Sequence, residues 1–459
     1  MQRVPLIRRS LALATVVAAV ILTSYGGALA ADSVVRGYDH LINKAYLPPD
    51  FHQRTFDEVW RVWPEPMRGL AEQASPEERR RMAFERYGLT LRPDDDSGKP
   101  LQYVVDGDGN WTMNCFACHG GQVLGKAYPG RPNSDFDLET MTEEIRRTKI
   151  RQGATLTRMD LGQLVLPLGT TRGTSNAVMF GVGLMASRDA RLNLVPPSVL
   201  PRMVHHDMEP PPWWHFRKRS HLYIDGFAEK GHRALMQFML VPENGPKVFR
   251  EGENDYRDVY QYLESICPPK YPFAIDRDLS QEGREVFQRQ CAECHGTYGD
   301  RETYPELTVP IDEIGTDRVR YDALLPEHRR GYAGSWFADF GGRRVVIEPE
   351  GYVAPPLDGI WASAPYFHNG SVPTLWHVLH ASQRPRVWIR QGDPDAYDTQ
   401  RVGLSVRELA EIPAGTFDRV LRRQYFDTAR RGKSAAGHAY PEQLTESEKE
   451  AVMEYLKTL

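Results

Sequence analysis

Cysteine is scarce in this chain, five in 459 residues, which excludes a small scaffold stapled by several disulfides. Long apolar runs are equally absent. After Leu22 no stretch approaches the roughly eighteen apolar residues of a membrane span. Neither sign of charge dominates: 57 Lys and Arg against 61 Asp and Glu leave a formal charge of −4. That balance lacks the basic surplus of a nucleic-acid-binding surface. No βαβ pattern is visible, and no Asp-rich loop specifies calcium, although a bound Ca2+ remains compatible with the chain.

What the chain does contain starts with residues 1–30, which read as an export leader. Arg3, Arg8 and Arg9 precede an apolar stretch from Leu11 to Leu22, and Ala28-Leu29-Ala30 offers a small-residue cleavage site. An uncleaved anchor is the competing reading. Cleavage removes three arginines from the −4 total and leaves −7, a mild acidity that allows a basic redox partner without requiring one. The mature chain is expected to be periplasmic or secreted, with no membrane span.

Four of the five cysteines fall in two Cys-x-x-Cys-His strings, Cys115-Phe-Ala-Cys118-His119 and Cys291-Ala-Glu-Cys294-His295. Two thiols at i and i+3 and an imidazole at i+4 share one helix face. They can add to the two vinyl groups of one haem and bind its iron. Paired zinc half-sites usually lie about 15–20 residues apart, whereas Cys115 and Cys291 lie 176 apart (291 less 115). Two covalently bound c-type haems are therefore expected. Cys267 is left over as a free thiol.

A helical phrase recurs: Asp258–Ile266 aligns with Ala451–Leu459, placing Val259, Tyr262, Leu263 and Ile266 over Val452, Tyr455, Leu456 and Leu459. In small c-type cytochromes such a closing helix crosses the haem-bearing one. The fold expected is mainly α. It has two cytochrome c-like domains, 31–270 and 275–459, each with a haem helix and a closing helix, long loop insertions and few short strands. Residues 267–274 form the linker. Asp278 or Ser280 caps the helix that carries Cys291, Thr445 and Glu448 form a capping box, and Ser75-Pro76-Glu77-Glu78 starts another helix. Residues 94–103 and 301–343 read as loops.

The ligand on the far side of each iron decides function, because a vacant position can bind oxygen or peroxide. For the second haem His438, in a Gly-flanked loop before the closing helix, is the first candidate and His368 the alternative. The repeat offset maps His438 onto Gly245, which cannot ligate, leaving His232, Met236 and Met239 as candidates at the first haem. Core packing competes for both methionines. An unequal pair follows: a closed second haem and an open or weakly ligated first one.

With both motifs, Ala364-Pro-Tyr-Phe-His-Asn-Gly-Ser-Val-Pro-Thr-Leu375, the Gly-His before the last helix and the closing Glu-Tyr-Leu-Lys-Thr-Leu, the chain resembles the bacterial dihaem cytochrome c peroxidase superfamily. Within it, the rubber-oxygenase-like dihaem cytochromes are nearest. The resemblance implies two haems in separate α-helical domains, one storing electrons and one reactive, fed by a redox protein or a small-molecule donor or acceptor. It implies an aromatic relay between them, for which Trp213 and Trp214 after Pro210-Pro211-Pro212 are candidates, packing being the competing role. It also implies an acid beside the open haem; Glu143 and Glu144 are considered, each equally readable as a solvated helix position. His205-His206-Asp207 reads as structural rather than metal-binding. The expected function is a haem-dependent oxidoreductase, peroxidase- or oxygenase-like at the first haem; the alternative is a pure electron carrier.

Overall fold

Two helix crossings organise the chain, and a glycine makes each one possible. The computed structural model describes residues 31–459 except Asp94, 198–200 and 393–395, so the leader reading of 1–30 lies outside the described residues. Residues 31–43 are helical and cross the closing helix Pro246–Ser265. A Cβ on Gly37 would sit 2.3 Å from the Asp258 carbonyl oxygen and 2.8 Å from the Tyr262 Cβ. In the second half Arg277–Gln290 crosses Glu446–Leu456. There a Cβ on Gly283 would meet the Ala451 oxygen at 1.8 Å and the Tyr455 Cβ at 3.0 Å. Asp258 and Tyr262 are the positions that the recurring phrase aligns with Ala451 and Tyr455. The two closing helices are thus crossed at equivalent residues, a correspondence that the 31–43 helix completes and that the sequence pattern alone did not disclose.

Local chemistry sets the helix ends. Asp276, rather than Asp278 or Ser280, caps Arg277–Gln290, its carboxylate accepting from the backbone N–H groups of Asp278 and Leu279. The Thr445–Glu448 capping box forms reciprocally. Ser75 accepts from the Glu78 N–H, Pro76 occupies the first turn, and Gly88 at φ 70 stops the helix after Tyr87.

Helix makes up 43% and strand 12%. The larger apolar cluster runs from Leu41 to Leu456 through both halves. A second, around Phe56, Trp63 and Trp111, is confined to the first half. Strands are more numerous than the expected few. Among the described residues there are six small antiparallel sheets, including Val387–Arg390 between Val406–Leu409 and Tyr425–Asp427. Strands of two to four residues are too short for alternation to register.

The 301–343 segment is also not simply a loop. It contains the helices Ile311–Ile314, Val319–Ala323 and Pro326–Ala333. Tertiary charge orders it: the fully buried Asp225 carboxylate binds Arg329 at 2.5 Å and Arg320 at 3.2 Å. Removing one partner of such a buried network costs several kcal/mol, but nothing local to the segment announces it. A second buried cation, Arg131, ties the halves together, donating to the carbonyls of Ala362 at 2.8 Å and Ala364 at 3.4 Å.

Gly37→Ala and Gly283→Ala should each destabilise the protein by about 1–3 kcal/mol through forced separation of packed backbones. Gly181→Ala, which adds a Cβ with nothing within 4 Å, should not. Chemical-denaturation midpoints check this; an unchanged midpoint in either crossing variant would contradict the packing account.

Candidate functional site

The second motif lies where its leading helix ends. Arg277–Gln290 stops at Cys291, which also caps the single turn Ala292–His295. Phe287 packs on Tyr455 of the closing helix at 5.3 Å between ring centroids, so the crossing fixes the motif's position. The Nδ1–H of His295 is directed at the Pro355 carbonyl oxygen, 2.8 Å away, leaving Nε2 as the free nitrogen. Burial lowers the pKa of the ring, favouring the neutral form that a metal requires.

His438 stands opposite. Its ring centroid is 6.1 Å from that of His295. Two imidazoles sharing one metal through bonds of about 2.1 Å have centroids roughly 6 Å apart. The loop reaches this position through two left-handed residues, Gly437 at φ 79 and His438 at φ 46. A Cβ on Gly437 would fall 2.3 Å from the Gly315 carbonyl carbon, so only glycine permits the approach. The His438 N–H donates to Ile314 at 2.7 Å and Arg384 donates to the His438 carbonyl at 3.2 Å. Its Nδ1 is buried without a partner. Burial, with His295 and Arg384 nearby, pushes its pKa down to about 3. Phe367 forms one wall, 6.0 Å from the His438 ring. His368, the alternative ligand, instead packs on Tyr352 at 4.8 Å.

The first motif is held differently. Asn114 accepts from the Phe116 N–H at 2.9 Å, Phe116 is fully buried, and its ring meets Tyr38 of the 31–43 helix at 5.9 Å. The Nδ1–H of His119 faces the Pro211 carbonyl oxygen at 3.1 Å, and burial pushes the ring's pKa down to about 4. Trp213 stacks on His119, 4.7 Å apart and 25° from parallel. Gly130 links the two, donating to the His119 carbonyl at 2.7 Å and accepting from the Trp213 N–H at 2.8 Å. Trp214 and His215 then both donate to the Asp358 carbonyl, at 2.7 and 3.1 Å, on the loop that carries Pro355. The two motifs are thereby connected by a buried aromatic segment.

No imidazole faces His119 as His438 faces His295 among the described residues. His232 is bound through Nε2 to Glu253 at 3.0 Å, and Gly245 caps the closing helix. Met236 and Met239 are fully buried, their methyl groups beside Gly252 and near Tyr46. Glu143 and Glu144 are not solvated acids: Glu144 pairs with Arg86 at 2.6 Å and accepts from Tyr87 at 2.7 Å, and Glu143 pairs with Arg423. Both are structural.

One buried acid, Glu209, was not singled out by the sequence. It is buried, neither carboxylate oxygen has a partner, and burial pushes its pKa well above the usual carboxylate range. It is close enough to Cys118 to raise that thiol's pKa. A Glu one residue before three prolines carries no pattern that would single it out. His205 and Asp207 form a pair at 3.0 Å. Among the described residues no group of three or more His, Cys, Asp or Glu is arranged to hold a metal ion.

Comparison with known proteins agrees with this geometry in part. A family described as "RoxA-like, cytochrome c-like" matches residues 351–389, the stretch that carries Pro355, Asp358 and the Ala364–Leu375 string. A cytochrome c-like domain of this kind implies covalently bound haem and a c-type cytochrome. Two uncharacterized proteins of Sinorhizobium fredii are similar: y4iM, 33% identical over 32% of this chain and 38% of its own length, and y4iJ, 30% identical over 42% and 41%. The chain thus spans about two fifths of each of these relatives.

A raised carboxyl pKa means that the folded state binds the extra proton. The stability this contributes is complete below the unfolded value of about 4.3 and declines as pH rises towards the folded pKa. Glu209→Gln should therefore flatten the fall in melting temperature between pH 5 and 8. A variant with the wild-type slope would show that Glu209 is ionised in the folded protein.

Proposed function

We propose that the protein is an exported dihaem c-type cytochrome in which electrons pass between a closed second haem and a reactive first haem. The observation that carries this reading is the unlike surroundings of two otherwise equivalent motif histidines. His295 has an imidazole across from it at a metal-bridging separation; His119 has a stacked indole and an unpartnered acid near its motif. Haem bound at each motif supplies an iron that exchanges electrons and, where one coordination position is free, binds oxygen or peroxide.

The donor sets fit that group. Cys115 and Cys118, and Cys291 and Cys294, are unbridged thiols at thioether spacing, and His119 and His295 present a free Nε2. His438, whose ring faces that of His295, would complete the second site. The residues' own work is then clear. Pro211 and Pro355 orient the motif imidazoles, the indoles of Trp213 and Trp214 fill the space between the sites with polarisable surface, and Glu209 holds a proton near the first motif. Met239 is the remaining candidate for a weak ligand there. Attachment of c-type haem takes place outside the cytoplasm, which supports export; no helix among the described residues is long and apolar enough to cross a membrane. The donor or acceptor would be a redox protein or a small molecule.

The second reading is a pure electron carrier with both irons six-coordinate, which would need a methionine such as Met239 as the second ligand at the first motif. Carbon monoxide added to the reduced protein separates the two. One equivalent bound in the wild type and two in His438→Ala would fit the asymmetric site; none in the wild type would leave only the carrier. In the same series Cys291→Ala/Cys294→Ala should lose half the covalently attached haem.

A further inference from the structure

Away from both motifs the surface holds a pocket of about 510 Å³ walled by Arg202, His205, Arg430, Arg431 and Lys433, with Met203 and Val204 as its apolar side. Among the described residues no acidic side chain lines it. Lys433 is buried at the floor, where its ammonium binds Asp207 at 2.8 Å and also contacts Thr171. Asp207 is further satisfied by His205 and by the N–H and hydroxyl of Thr170. The Asp207 charge is thus consumed within the floor. The three arginines are exposed, and none forms an ion pair or side-chain hydrogen bond among the described residues. Three exposed arginines around one concavity favour an anion between them, and a volume of this size suits a small molecule.

We propose that this pocket binds a compact organic anion bearing two or three carboxylate or phosphate groups on a short carbon skeleton. The acidic groups would take the planar forks of Arg202, Arg430 and Arg431, and the carbon skeleton would rest on Met203 and Val204. The floor is built in advance, because Asp207 holds His205 and Lys433 from opposite chain segments. One segment leads on to Glu209 and Pro211, the other to His438, so a bound anion would brace both routes to the motif histidines. The site rests on charge and shape alone and stands whether or not the haem reading holds.

Isothermal titration of the purified full-length protein with citrate, and separately with inorganic phosphate, tests it. One saturable citrate site is expected, weakened by added chloride and weakened at least tenfold in Arg430→Gln/Arg431→Gln. Arg318→Gln/Arg250→Gln, which alters two charges elsewhere on the surface, should bind as the wild type does. Tighter binding of citrate than of phosphate would assign a carbon-bearing ligand; equal or tighter phosphate binding would overturn that part. No saturable site at millimolar citrate, or equal loss in both double variants, would overturn the pocket itself. Binding of an acidic peptide instead of citrate, lost with Arg430 and Arg431, would replace the small anion by a protein partner.

Discussion

Each motif histidine directs its Nδ1 proton to a proline carbonyl, Pro211 for His119 and Pro355 for His295, and the remainder of the site is arranged around those two bonds. A donated Nδ1–H sets the tautomer, fixes the ring plane and leaves Nε2 for a metal. Proline at both acceptor positions restricts the local backbone through its locked φ. The same two proline segments then lead into Trp213 and Asp358, and the bond from the Trp214 indole to the Asp358 carbonyl joins them. Orientation of the imidazoles and the route between the sites are therefore consequences of one short piece of backbone chemistry.

The halves are similar in frame and unlike in site. Both have a glycine at the crossing of a leading and a closing helix, and both hold the motif at its edge. In the second half the leading helix runs straight into Cys291, whereas in the first residues 44–114 intervene, including the aromatic cluster around Trp111. The far side diverges further: the Gly437–His438 turn reaches back over His295, while the equivalent position in the first half is Gly245, spent on starting a helix. That difference, not any difference in the motifs, is what the proposed division between an electron-holding and a reactive site rests on.

Much of this was legible in the residues. The two Cys-x-x-Cys-His strings, the Thr445–Glu448 box and the aligned closing helices follow from local spacing, which local chemistry enforces. The helix over 31–43, the order in 301–343 and the burial of Glu209 were not legible. Each depends on partners far along the chain: Gly37 on Asp258, Arg320 and Arg329 on Asp225, and Glu209 on a buried setting that leaves both oxygens bare. Reading Glu143 and Glu144 as solvated acids failed for the same reason, since Arg86 and Arg423 reach them from distant segments.

The central claim is that both motifs carry covalent haem. Intact-mass measurement of the exported protein after acidic solvent extraction addresses it directly. The account predicts a residual mass excess equal to two haems, falling to one when either cysteine pair is replaced by alanine. A mass equal to the bare polypeptide, or to one haem in fully matured wild-type protein, would contradict it.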